Sequence, residues 1–167
     1  MRIMTSRNDF TQEEWKLICH APLSIGSAVA SASPSGLGDT IKESMSIVNS
    51  MRQAAERHPE SQLIQEIMPK GLGREQLETW TTTARSILQP NEAARSRTQS
   101  IEECRQVANV LQSKGTPQEA QSFKLWLLEV GRDVANAATE RGNTSAISNE
   151  EAQVLQDVAN ALGVPDR

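Results

Sequence analysis

The stretch SIEECRQVANVLQSKGTPQEAQSFKLWLLEVGRDVANAA, Ser100 to Ala138, decides the fold. In its first half Ile101, Cys104, Ala108 and Leu111 recur at helical spacing, and in its second Ala120, Phe123, Leu127, Val130, Val134 and Ala137 do the same. Between them Gly115 stops one helix, Thr116 caps the next, Pro117 takes the first helical position and Glu119 completes a capping box. The pattern predicts two antiparallel helices joined by a tight turn. The second also carries Leu125, Trp126, Leu128, Gly131, Ala135 and Ala138 off its main stripe. A helix apolar on more than one face must be covered on two sides, so residues 117–138 are expected at the centre of the bundle. Gly131 within it predicts a close approach by a neighbouring helix.

Outward from this pair the same grammar repeats. Thr11 and Glu14 form a capping box, with Phe10 placed to staple onto Trp15. The helix they open is expected to run to about Cys19, break at Pro22, and resume through Ile25, Val29 and Ala30. Ser33 to Gly38 reads as a turn, and Ile41, Met45, Val48, Met51 and Ala55 then read as an inward stripe ending at His58-Pro59. Leu63 to Met68 makes a short helix. Leu77, Trp80, Ala84, Ile87 and Leu88 make another, in which the run Thr81-Thr82-Thr83 is tolerated rather than favoured. Asn91 is placed to cap the helix entering Ser100, whose first turns, Glu92 to Gln99, are polar and expected to project from the core. Ser148 and Glu151 box the last helix, which Gly163 ends.

No segment alternates with a period of two, and aromatic residues, which favour strands, are only 3% of the chain. The expected fold is all-α: one bundle of about seven helices over residues 10–164, after a flexible N-terminal tail at 1–9. A chain of 167 residues is long enough to bury roughly two thirds of its unfolded surface in a single core.

Charge excludes more than it assigns. A net charge of −4 argues against a nucleic-acid or anionic-membrane partner. Only residues 70–115 carry a basic excess, seven cationic side chains against five acidic. There Arg85, Arg95 and Arg97, with Arg74 and Arg105 nearby, form a candidate partner-binding edge facing an acidic protein or a second copy. The competing reading is a solvated face, since Glu92, Glu102 and Glu103 are interleaved.

Catalytic and metal-binding patterns are missing. There is no Walker loop, dinucleotide fingerprint, nucleophile elbow or zinc-protease motif. Cys19, His20, His58 and Cys104 are the available soft ligands, and the only local pair, Cys19-His20, is adjacent, so on a helix the two diverge by about 100°. Neither a metal nor another cofactor is expected. The paired glutamates at 13/14, 102/103 and 150/151 fall in early helical turns, where they answer the macrodipole. The apolar run Ile18 to Ala32 lacks the basic flank of a secretion signal and is too short to span a bilayer. Two cysteines suit a reducing cytoplasm, and there the glycosylation triplet Asn143-Thr144-Ser145 marks only an exposed loop.

Three resemblances accompany these readings. Asp9 to Trp15, DFTQEEW, is identical to the start of the KRAB repressor box, but Lys16 to Pro22 lacks the rest of that box and no zinc-finger array follows. Helix capping accounts for all seven residues. The combination of Phe10 to Trp15, Ala21-Pro22, Pro34-Ser35-Gly36, Ala120 to Val130 and Ser148 to Gly163 resembles a family of small bacterial helical proteins without an assigned activity. The capped acidic helix closing on Leu162-Gly163 is similar to the last helix of tellurite-resistance (TerB-like) domains, which implies a stress-response domain binding metal or oxyanion. The leading expectation is a non-enzymatic cytoplasmic module that binds a protein partner or itself. The alternatives are the TerB-like role and an enzyme using carboxylate chemistry that no motif announces.

Overall fold

The computed structural model describes residues 6–32, 40–87, 93–141 and 147–164, and for 40, 41, 87, 93–96 and 138–141 the backbone only. The expected turn at Ser33 to Gly38, the cap at Asn91 and the triplet at Asn143 lie outside the described residues. Among those described there are seven α-helices and no strand: α1 Gln12–Ser31, α2 Thr40–Ala55, α3 Gln62–Ile67, α4 Arg74–Ile87, α5 Ala93–Lys114, α6 Pro117–Arg141 and α7 Asn149–Leu162. The all-α bundle expected from the sequence is what forms.

Local chemistry starts and stops the helices as the sequence dictates. Thr11 accepts from the Glu14 N–H while the Glu14 carboxylate accepts from the Thr11 N–H, and Ser148 and Glu151 repeat the exchange. Phe10 meets Trp15 with ring centroids 6.3 Å apart, completing the staple. Gly163 closes α7 with φ 73°, a left-handed conformation open to glycine. Gly115 ends α5 for a different reason: a Cβ there would stand 2.9 Å from the Leu111 carbonyl oxygen.

α6 is central, as expected. Phe123, Trp126, Leu127, Leu128, Val130, Val134 and Ala135 are all buried, and the Trp126 indole N–H donates to the Met51 carbonyl of α2 at 3.1 Å. Gly131 provides the close approach: a Cβ on it would lie 2.9 Å from Leu155 Cδ2 of α7 and 3.2 Å from Ile25 Cγ2 of α1.

Two expectations are corrected. Pro22 neither ends nor interrupts the first helix, which runs unbroken for 20 residues. Proline removes one helical N–H and costs about 3 kcal/mol in a helix interior. Every residue from Ala21 to Ala30 is buried, and each fully buried Leu, Ile or Val returns about 1.5–3 kcal/mol, so enclosure outweighs the lost bond. α1 is therefore a second central helix and the main packing partner of both α5 and α6, which touch each other far less. The residues just before α1 are also structured: Arg7–Asp9 form a 3-10 turn, the Arg7 N–H donates to Glu66 at 2.8 Å, and the Arg7 guanidinium lies 5.6 Å from the Trp15 ring centroid.

The second correction concerns α2. Its buried face comprises Ser44, Ile47, Val48, Met51, Ala54 and Ala55, not a stripe through Met45. Ile47 fits against the bare backbone of Gly26 on α1, where a Cβ would come within 2.7 Å of Ile47 Cγ2. With α2 also packed on α4 and α6, its Met45 faces outward, 58% exposed.

Candidate functional site

Met45 is the one large apolar side chain standing exposed among the described residues. It sits on the seam between α2 and α4, beside Leu77 and Thr81, where two adjoining cavities open. One, of about 530 Å³, is bounded by Lys42, Met45, Val48, Arg52, Leu77, Thr81 and Ala137. The other, of about 600 Å³, is bounded by Met45, Arg74, Leu77, Glu78, Thr81 and Arg85. Met45, Leu77 and Thr81 line both, so the two cavities adjoin at these residues along the groove between α2 and α4.

Its two walls differ in how they are built. The α2 wall is anchored from behind by Ile47, Val48 and Met51. α4 is the less embedded wall: of its apolar stripe Ala84 is fully buried, whereas Leu77 and Trp80 are only partly covered. Its β-branched run is accommodated by hydroxyls that bond back along the helix, Thr79 to the Glu75 carbonyl, Thr81 to Leu77 and Thr83 to Thr79, at 2.8–3.0 Å. The apolar Met45, Val48, Leu77 and Ala137 share the lining with the polar Ser46, Asn49, Thr81 and Thr82 and with charged residues. Lys42 and Arg52 stand at the two ends of the α2 wall, and Arg74 and Arg85 at the two ends of the α4 wall. Among the described residues Glu78 is the one acidic residue lining it, and its ion pair with Arg74, 3.3 Å apart, is solvent-exposed. Such an exposed pair contributes little and is easily exchanged.

The arginines expected to share one edge divide between surfaces. Arg74 and Arg85 line the groove. Arg97 does not project freely: its guanidinium donates to Asp157 of α7 at 2.8 Å, which holds the Asp157 carboxyl below the usual carboxylate range. Arg105 pairs with Glu102 on its own helix at 3.4 Å. The side chain of Arg95 lies outside the described residues. The sequence places Met45 and Leu77 on apolar helical stripes and gives Lys42 and Arg52 no role, so it does not mark this surface.

A second polar cluster joins the connector after α2 to α6. Arg57 binds Asp133 at 2.9 Å, and His58 binds Glu129 while its other ring nitrogen lies 3.6 Å from Glu60. Burial keeps Asp133 above the ordinary carboxylate range even beside Arg57. Nearby, the buried Glu119 carboxylate accepts from the Ser61 hydroxyl at 2.7 Å and the Gln62 N–H at 2.9 Å. Its backbone N–H takes the Thr116 cap as expected, but its side chain reaches to the start of α3. These contacts fasten α3 to α6, and neither His58 nor Glu129 lines the groove cavities.

The remaining titratable groups are tied into helix contacts. His20 lies within α1, not at a helix end, and its Nδ1 meets Glu103 of α5 at 3.1 Å, which raises the imidazole pKa against the opposing effect of burial. Burial pushes the Cys19 thiol up to about 11 and the Cys104 thiol up to about 12, so neither is an activated nucleophile. Lys114, the last residue of α5, binds Glu14 in the first turn of α1, each charge answering a helix dipole. Among the described residues no three His, Cys, Asp or Glu side chains stand together as metal ligands would. No described helix is long and apolar enough to cross a membrane.

No protein-family model matches the chain, and no curated protein or solved structure resembles it closely enough to count as a match.

Proposed function

We propose that this chain is a non-catalytic helical module of the cytoplasm that receives a protein partner in the groove between α2 and α4. The observation that carries the reading is Met45, 58% exposed above a groove that also holds the half-covered Leu77. A core packed this completely elsewhere leaves an apolar anchor outside at a cost, and docking is the use such an anchor serves. The rest of the chemistry supports binding over catalysis. The histidines are engaged in helix-to-helix contacts and both thiols are raised, so no poised acid, base or nucleophile faces the groove.

Site-specific photo-crosslinking tests this reading. A crosslinking residue at position 45 or 77 should give discrete protein adducts in cells. The same residue at position 150, exposed on α7, should give none of those adducts. Identical adduct patterns from all three positions would overturn the assignment.

A further inference from the structure

We infer that Met45 is a modification site: hydrogen peroxide oxidises its thioether to the sulfoxide, and the α2–α4 groove then no longer docks its partner. The inference rests on the docking reading above and adds what regulates it. Access comes first. Met45 is 58% exposed where the two cavities adjoin, whereas Met51 and Met68 are 0% and 2% exposed. Sulfur oxidation follows exposure, so among the described methionines peroxide reaches Met45 first. The two thiols do not compete for it. The thiolate is the form that reacts, and burial holds the Cys19 and Cys104 thiols at about 11 and about 12, protonated at neutral pH.

The chemistry is a two-electron oxygen transfer. A sulfur lone pair takes one peroxide oxygen, the O–O bond breaks, and the other oxygen leaves as water with both protons. The sulfur is oxidised and the peroxide reduced, and nothing else is consumed. A flexible apolar side chain thereby becomes a polar one. Position decides what that does. At Met51, whose carbonyl accepts from the Trp126 indole N–H, a sulfoxide would bury a polar oxygen in the core. At Met45 the new oxygen stays in contact with water. It also has a donor at hand in Arg74, which lines the same cavity and holds Glu78 through Nε, one of its five N–H groups. The fold is therefore kept and the apolar anchor lost. Of the other apolar residues lining the groove, Leu77 and Ala137 are half-buried and Val48 is buried, so none stands out to replace it.

The test uses the whole protein carrying the crosslinking residue at position 77. It is oxidised with hydrogen peroxide, cleared of peroxide by catalase and mixed with cell extract. Mass spectrometry that assigns each sulfoxide to its residue should show Met45 half-converted at least about tenfold sooner than Met51 and Met68. At full conversion of Met45 the denaturation midpoint should move no more than a surface substitution moves it, while the yield of position-77 adducts falls about tenfold. Met45→Leu, apolar and without sulfur, should give the adducts before and after peroxide. Met45→Gln, polar like the sulfoxide, should give few of them even before it. Methionine sulfoxide reductases should restore the parent's adducts, the oxygen leaving as water while a dithiol is oxidised to its disulfide.

If position 77 gives no adducts beyond those of position 150 before oxidation, the docking reading fails and the inference with it. If the adducts form but persist once Met45 is a sulfoxide, docking stands and the switch is wrong. Loss of the adducts in the peroxide-treated Met45→Leu protein would assign the effect to another residue. Met51 or Met68 oxidising as fast as Met45 would remove the selectivity. Either result overturns the inference.

Discussion

Ile47 of α2 occupies the space that a Cβ on Gly26 of α1 would need, its Cγ2 standing 2.7 Å from that position. This fit suits a rotation of α2 in which Ile47 and Met51 face the core and Met45 faces solvent beside the groove. Gly26→Ala should therefore destabilise the fold by about 1–3 kcal/mol, the range for overpacking a close-packed site. Chemical denaturation measures it. Ile47→Ala should cost less in the Gly26→Ala protein than in the parent, because it removes the obstructing Cγ1 and Cγ2.

The central position of α6 makes a second prediction. Leu127 is wholly buried, and Leu127→Ala should cost about 2–5 kcal/mol in denaturation midpoint experiments. A loss under about half a kilocalorie, the scale of a surface change, would place α6 at the periphery.

The caps, the staple and the α6 stripe were legible in the sequence because each depends on residues near one another in the chain, and Gly131 because a glycine inside an apolar helix signals a close approach without naming its partner. Two features were not. Pro22 looks like a break because its local penalty is written in the sequence, while the enclosure of Ala21 to Ala30 is supplied by helices far along the chain. The rotation of α2 was ambiguous in the same way: a stripe through Met45, Val48 and Met51 and one through Ile47, Met51 and Ala54 are both helical. Packing against Gly26 of α1 and against α4 and α6 chooses between them. The groove follows from that choice, so it was invisible for the same reason.

His20 and Glu103 should make stability depend on pH near neutrality. The contact raises the His20 pKa above its ordinary 6.5, so the folded state holds its proton more tightly than the unfolded chain. The stabilisation is fully present below about pH 6.5 and is lost as pH rises through the folded-state value. Denaturation midpoints compared at about pH 5.5 and about pH 8.5 should fall more for the parent than for His20→Gln, in which the titrating group is gone. Equal falls in both proteins would assign the dependence elsewhere.

Arg97 and Asp157 give the opposite sign. The Arg97 contact depresses the Asp157 pKa, so its contribution is present above the ordinary carboxylate value of 3.8 and is lost as pH falls through the lower folded-state value. Because both side chains remain partly solvated, a double-mutant cycle of Arg97→Ala and Asp157→Ala should yield a coupling of about 0.2–1 kcal/mol. Arg97→Glu should cost more than Arg97→Ala, and adding Asp157→Arg should restore the difference. Additive single effects would mean that α5 and α7 are not joined at this point.

The most direct measurement of the docking account is carbon-13 methyl NMR of the methionines during titration with a synthetic amphipathic helix of about 14 residues bearing a Leu stripe. Met45 lies on the groove, whereas Met51 and Met68 are buried at 0% and 2% exposure. The account predicts that the Met45 methyl signal moves progressively and saturates, that Met51 and Met68 move little, and that the Leu77→Ala protein shows the same shift only at several-fold higher peptide concentration. A Met45 signal that stays in place while the helix binds elsewhere would contradict it.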